Sequence, residues 1–115
     1  MAQDIKATLR FLPLSAQKVR LIVDVVRGKD VVNAVDTLRF MPQRAAEPVM
    51  KLLNSAIANA EENFGVSRDD LFVASIFADE APTRKWRRFA ARGRFKAILR
   101  RTSHVTVILR ERETA

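Results

Sequence analysis

The sequence contains no cysteine and only one histidine, and this scarcity excludes several kinds of site. A disulfide framework and a zinc site with cysteine ligands both need residues that the chain lacks. Its glycines, Gly28, Gly65 and Gly93, are too far apart to form a phosphate-binding loop. Ser103 and His104 are adjacent, which is the wrong geometry for a base acting on a nucleophile. We therefore predict no metal, no cofactor and no enzymatic activity.

Long apolar runs are also missing. No stretch approaches the roughly 18 residues that a membrane-spanning helix needs, and residues 1–6 lack the basic and then apolar pattern of a secretory signal. These features favour a cytoplasmic protein without a membrane partner. The length of 115 residues and the 48% of hydrophobic residues predict one compact domain over 1–115.

Basic residues are distributed unevenly along the chain. Residues 83–101 hold nine of the 21 Lys and Arg and no Asp or Glu. The other twelve basic residues face 13 acidic ones, so the net charge of +8 arises almost entirely in this one segment. A single uncompensated basic block on a balanced domain is typical of a protein that binds a polyanion, most often a phosphate backbone.

Periodicity predicts a strand followed by a helix at the start of the chain. Apolar and polar residues alternate over 3–12, which predicts a strand that buries Ile5, Ala7, Leu9 and Phe11. Ser15 is expected to cap a helix that ends at the left-handed Gly28, and whose outward residues include Lys18, Arg20, Arg27 and Lys29.

Two further helices are predicted downstream. Asp30 is expected to cap the first, which ends at Met41 and Pro42. The second is the longest and ends at Gly65. Pro48 lacks the N–H that an interior helical position needs, so this helix must either kink or begin close to Glu47.

The remaining elements predict a long hairpin. Residues 71–78 and 102–110 have strand composition, and they flank the basic block with Gly93 inside it. We predict an α+β fold in which a three-stranded antiparallel sheet carries three helices on one face, with a long protruding basic β-hairpin. Residues 80–101, here called the arm, have no core of their own, so the tip is expected to become ordered on a partner.

Several sequence words resemble one known family. They are residues 15–21 (SAQKVRL), 27–29 (RGK), 54–61 (NSAIANAE), and 92–94 (RGR) followed by 98–104 (ILRRTSH). With these words in this order, the chain resembles the bacterial family of large-subunit ribosomal protein twenty-two over roughly residues 14–109.

The resemblance implies a structural protein of the large ribosomal subunit that binds its rRNA and supports subunit assembly. It implies a β-hairpin that lines the nascent-peptide exit tunnel, where the nascent peptide and neighbouring large-subunit proteins are partners of a monomer. A free-standing module that binds or anneals single-stranded RNA remains the alternative. That alternative predicts comparable affinity for many unstructured RNAs.

Charge and resemblance together give two groups of candidate rRNA-binding residues, one in the arm and one around the first helix. The arm group is Arg84, Lys85, Trp86, Arg87, Arg88, Arg92, Gly93, Arg94, Lys96, Arg100 and Arg101. The second group is Ser15, Lys18, Arg20, Arg27 and Lys29.

Overall fold

The computed structural model of the chain describes residues 4–89 and 95–112, and for residues 84–89 and 95–100 it describes the backbone alone. It has three α-helices and three strands, with one 3₁₀ turn at Arg68–Asp70. In chain order they are β1 (Ile5–Leu12), α1 (Ala16–Val26), α2 (Val31–Arg39), α3 (Ala46–Phe64), β2 (Leu71–Phe89) and β3 (Phe95–Glu111). Residues 4–79 and 102–112 are called the body.

The predicted α+β architecture is confirmed. The sheet is antiparallel in the order β1-β3-β2, with Ile5 opposite Leu109 and Leu71 opposite Glu111. On β3 the alternate residues Val105, Val107 and Leu109 are completely buried, and the helices pack over this face. Burial of one face of each strand is what fixes the register, because a shift by one residue would turn the whole apolar set outward.

Helix α1 begins and ends as predicted. The Ser15 hydroxyl accepts from the Lys18 N–H at 3.4 Å, which satisfies one donor of the first turn. Val19, Ile22, Val23 and Val26 are buried, and Gly28 follows at a φ of 81°. That value lies in the left-handed region, which glycine enters without steric cost.

The two other helices show one difference from expectation. Asp30 stands at the N-cap of α2, but its carboxylate binds the Arg112 guanidinium and makes no cap hydrogen bond. Pro48 lies in the first turn of α3, where the missing N–H would have had no helical partner. Gly65, at a φ of 65°, ends that helix as predicted.

The prediction that Phe11 belongs to the buried face of β1 was wrong. Leu9 lies opposite Val105 and Leu12 opposite Ser103, so the two residues between them face His104 alone and form a β-bulge. A bulge inserts one residue and reverses the faces that follow it. Phe11 is consequently 60% exposed, while Leu12 is 6% exposed and takes the core position.

Strand β2 is longer than the predicted segment 71–78. It continues from Leu71 to Phe89 and passes through Pro82, which a strand tolerates at a sheet edge or a bulge. Both conditions hold: β2 is an edge strand, and between Ala81 and Arg84 it carries one residue more than β3 does between Arg100 and Thr102. The molecule measures 69 × 25 × 19 Å, as expected for a small body with a protruding hairpin.

Candidate nucleic-acid interface

The arm continues the sheet of the body as a two-stranded ladder. Its backbone register pairs Arg84 with Arg100 and Arg88 with Lys96, and the last pair is Phe89 with Phe95. Like charges at directly opposite positions of an antiparallel ladder are destabilising. Residues 83–101 contain no Asp or Glu, so neutralisation of these charges must come from outside the segment.

The arm candidates differ in what the structure says of them. Arg92, Gly93 and Arg94 lie outside the described residues, as does the expected ordering of the tip on a partner. Only backbone positions are described for Arg84, Lys85, Trp86, Arg87, Arg88, Lys96 and Arg100. The assignment of all these residues to rRNA stays a prediction.

The base of the arm is tied to itself across the bulge. The Thr102 hydroxyl donates to the Pro82 carbonyl at 3.0 Å, which satisfies an acceptor beside the extra residue. Ala81 is buried, so the ladder is packed against the body at the position just before the basic residues. The basic ladder therefore starts from a fixed base.

A cleft of about 680 Å³ lies between the start of α1 and the base of the arm. It brings together three sequence-predicted residues, Ser15 and Lys18 from the body and Arg101 from the arm. Arg44 lines the same cleft and was missed by sequence reasoning. Its only signal was its charge, because it lies between α2 and α3 where no periodic pattern relates it to Lys18.

The electrostatics of this cleft favour an anion. The first N–H groups of an α-helix lack helical partners and carry partial positive charge, to which the three cations Lys18, Arg44 and Arg101 add. Thr83 and Thr102 also line the cleft. Glu80 is its acidic member, at the edge where the arm begins.

Arg20 and Arg27 were predicted to face outward toward RNA, but their guanidinium groups have partners inside the protein. The Arg20 Nε–H donates to the Ala78 carbonyl at 3.1 Å, and an Arg27 Nη–H donates to the Ile76 carbonyl at 2.8 Å. Arg27 also pairs with Asp24 at 2.7 Å. Both arginines thus hold α1 against the outer edge of β2, and a contact with rRNA remains a prediction for them.

Lys29 is separate from the cleft. Its carbonyl accepts from the Val73 N–H at 2.9 Å, and the Gly28 N–H donates to the Val73 carbonyl at 3.0 Å. These bonds add a short segment to the β2 edge. Because the 11 residues of α1 span about 16 Å, Lys29 and Arg27 lie at the opposite end of the helix from Ser15.

Half of the twelve basic residues of the body are neutralised by acidic residues within it. Where side chains are described, the ion pairs all join body residues. They are Arg27–Asp24, Arg39–Asp36, Lys51–Glu47, Arg68–Glu61, Arg110–Asp4 and Arg112–Asp30. The Arg110 hydrogen bond lowers the pKa of Asp4, and Asp4 raises the pKa of Arg110. These pairs occupy six of the acidic residues that the arm could otherwise contact.

His104 is held by contacts with a neighbouring strand. Its Nδ1 accepts from the Phe11 N–H at 3.0 Å. Within the part of the chain that is described, no three His, Cys, Asp or Glu side chains are grouped to hold a metal ion. No helix in that part is both long enough and apolar enough to cross a membrane.

Comparison with known proteins gives one consistent result. The family model described as ribosomal protein L22p/L17e matches residues 7–110. A large ribosomal subunit protein uL22 from Desulfitobacterium hafniense (strain DSM 10664 / DCB-2) is 47% identical over 111 residues, which cover 96% of this chain and 97% of that protein.

Two further relatives carry the same name. The uL22 protein of Mesoplasma florum is 52% identical over 106 residues, covering 92% of this chain and 95% of the relative. That of Thermoanaerobacter sp. (strain X514) is 46% identical over 110 residues, covering 96% and 99%. Homology on this scale extends over the body and the arm alike. The chain therefore belongs to the ribosomal protein L22p/L17e family, whose members are structural, non-enzymatic constituents of the large ribosomal subunit, a cytoplasmic particle in bacteria.

Proposed function

We propose that this chain binds large-subunit rRNA through two connected surfaces, the basic ladder of the arm and the cleft at its base. The observation that carries the proposal is the register of the arm, which pairs Arg84 with Arg100 and Arg88 with Lys96. Like charges at opposite positions destabilise such a ladder, and bound anions relieve this repulsion. For a protein of the large ribosomal subunit, the anions nearest at hand are the phosphates of the rRNA backbone.

Binding by the arm rests on charge and on the choice of arginine. Seven of the nine basic residues in 83–101 are Arg, whose planar guanidinium makes bidentate contacts with phosphate oxygens. Each neutralised phosphate releases counterions, so nine contacts would give log affinity a slope of about −6 to −8 against log salt. The aromatic residue Trp86 is assigned to stacking on bases.

The cleft would fix the arm relative to the rRNA that the body contacts. A phosphate seated near Ser15 and Lys18 lies beside Arg101 and Arg44, since all four residues line the cleft. One RNA segment in the cleft and another along the ladder would be bridged by one short protein. This bridging is how we propose that the chain supports assembly of the subunit.

Family membership supports a further part of the proposal. We assign the hairpin to the wall of the nascent-peptide exit tunnel, where it meets the nascent peptide, and the body to contacts with neighbouring ribosomal proteins, with one copy in each subunit. Residues 80–89 in extended conformation span about 30 Å. An arm of this length reaches well away from the body.

Two matched variants test the proposal. The arm variant carries Arg87→Ala, Arg88→Ala and Arg94→Ala, and the body variant carries Arg39→Ala, Lys51→Ala and Arg68→Ala. Each removes three positive charges, and the body residues are taken from exposed ion pairs, which contribute little to stability. After expression in bacteria, a sucrose gradient of the lysate is probed for each chain.

The wild-type and body variants are expected in the large-subunit fractions, and the arm variant is expected to shift toward the top of the gradient. Circular dichroism checks that all three are folded. A wild-type chain that stays free at the top and binds unrelated RNAs equally well would contradict the proposal and favour the free-standing RNA-binding module.

A further inference from the structure

Phe11 adopts a costly backbone conformation that the core does not use. Its φ is 56°, and it is the one non-glycine residue with positive φ in the described part of the chain. For a bulky residue this left-handed conformation is a genuine outlier, and such strain gathers at functional sites. The phenyl ring nevertheless stays 60% exposed, so burial does not explain why the bulge carries a phenylalanine.

The same conformation locks Phe11 to His104. The Phe11 N–H donates to His104 Nδ1 at 3.0 Å, and the two rings meet edge to face with centroids 4.7 Å apart and planes at 86°. Since Nδ1 accepts a hydrogen bond, the neutral imidazole carries its proton on Nε2. The pair thus combines an exposed aromatic ring with a hydrogen-bond donor in a fixed geometry.

This pair lies on the sheet face opposite the described helices. His104 alternates with the inward Ser103 and Val105 on β3, and Phe77 on β2, 41% exposed, shares the outer face two residues along the ladder. Asp79 is the ladder partner of His104, and it is exposed. A carboxylate at this position disfavours a phosphate but leaves the neutral face of a nucleobase unaffected.

We infer that the Phe11–His104 pair is a stacking site for an unpaired RNA base, with the His104 Nε2–H donating to an acceptor on that base. The inference goes beyond the proposed phosphate contacts and rests on the proposed function only in taking RNA as the partner. His104 lies four residues after the arm position Arg100 on the same strand, about 13 Å away. An RNA strand bound along the arm is therefore close enough to reach the pair.

The experiment compares two labelled probes, an oligouridine and an abasic ribose-phosphate strand of the same length. Base stacking contributes only to the first, whereas phosphate contacts contribute to both. Phe11→Gly removes the ring and relieves the strain, because glycine adopts this φ freely, so the variant is expected to melt like the wild type. Its affinity for oligouridine should fall about fivefold or more, with no change for the abasic strand.

Three more variants complete the test. Phe11→Trp should keep the wild-type affinity for oligouridine and Phe11→Leu should lower it, since only tryptophan keeps an aromatic face. Phe40→Leu is the control, because Phe40 is 82% exposed at the end of α2 and is not paired with His104. Phe11→Gly that leaves oligouridine binding unchanged, or that weakens both probes equally, would overturn the inference. The arm variant should weaken both probes, and its failure to do so would contradict the proposed function instead.

Discussion

The body and the arm handle charge in opposite ways, although they share two strands. In the body, acidic and basic side chains pair with each other, as Arg110 does with Asp4 and Arg112 with Asp30. In the arm, the ladder places Arg84 opposite Arg100 within residues 83–101, which contain no Asp or Glu. The body thus neutralises half of its twelve basic residues internally, whereas the basic block of residues 83–101 depends on anions from outside that segment.

The same comparison applies to individual arginines. Arg20 and Arg27 resemble the arm residues in charge, yet they donate to the carbonyls of Ala78 and Ile76 and so stabilise the edge of β2. A basic residue near the start of the chain is therefore not interchangeable with one in the arm. Position in the fold decides whether its donors are directed to the protein or to a partner.

The largest expected effect concerns the core and separates body from arm in stability. Leu53 is completely buried in α3, so Leu53→Ala should lower the free energy of unfolding by about 2 to 5 kcal/mol. The arm variant should change it by less than about 0.5 kcal/mol, as for surface positions in general. Urea titration followed by circular dichroism measures both. A similar loss in the arm variant would show that the arm is part of the cooperative fold.

A smaller effect is expected when the two body arginines are removed. Arg20→Ala with Arg27→Ala deletes two hydrogen bonds to edge carbonyls, each contributing about 0.5 to 1.5 kcal/mol. The free energy of unfolding should fall by about 1 to 3 kcal/mol. Lys18→Ala is the control because its side chain lines the cleft and is exposed. If the urea midpoint of the double variant were unchanged, these hydrogen bonds would not stabilise the fold, and both arginines would again be candidates for binding RNA.

The smallest effect tests the ion pairs of the body. Arg110 lowers the pKa of Asp4 through a hydrogen bond, so this pair adds stability while Asp4 is ionised and loses it as the pH falls through the lowered pKa. The difference in free energy of unfolding between wild type and Asp4→Asn should be small at neutral pH and vanish well below about pH 4. A difference that grows on acidification would contradict this pairing.

Periodicity and capping residues were sufficient to predict most of the body. Ser15, Gly28 and Gly65 marked helix ends correctly because caps depend on neighbouring residues alone. The alternation of Val105, Val107 and Leu109 likewise identified the inner face of β3. These features are local, so sequence carries them directly.

The misses all depend on contacts between distant segments. Phe11 is exposed because a bulge opposite His104 reverses the faces of β1 after Leu9. No residue in the pattern over 3–12 indicates that bulge. Arg44 reached the cleft through the packing of α2 and α3 beside Lys18. The edge carbonyls of β2 that bind Arg20 and Arg27 are backbone groups, which a side-chain pattern does not display.

The most direct test of the account is the salt dependence of binding to transcribed bacterial large-subunit rRNA. The slope of log affinity against log salt is measured for the wild type, the arm variant and the body variant. Loss of three arm charges is expected to make the slope shallower by about 2 to 3 units, while the body variant is expected to keep the wild-type slope. Equal slopes for all three chains, or a larger change in the body variant, would contradict the claim that the arm is neutralised by RNA phosphates.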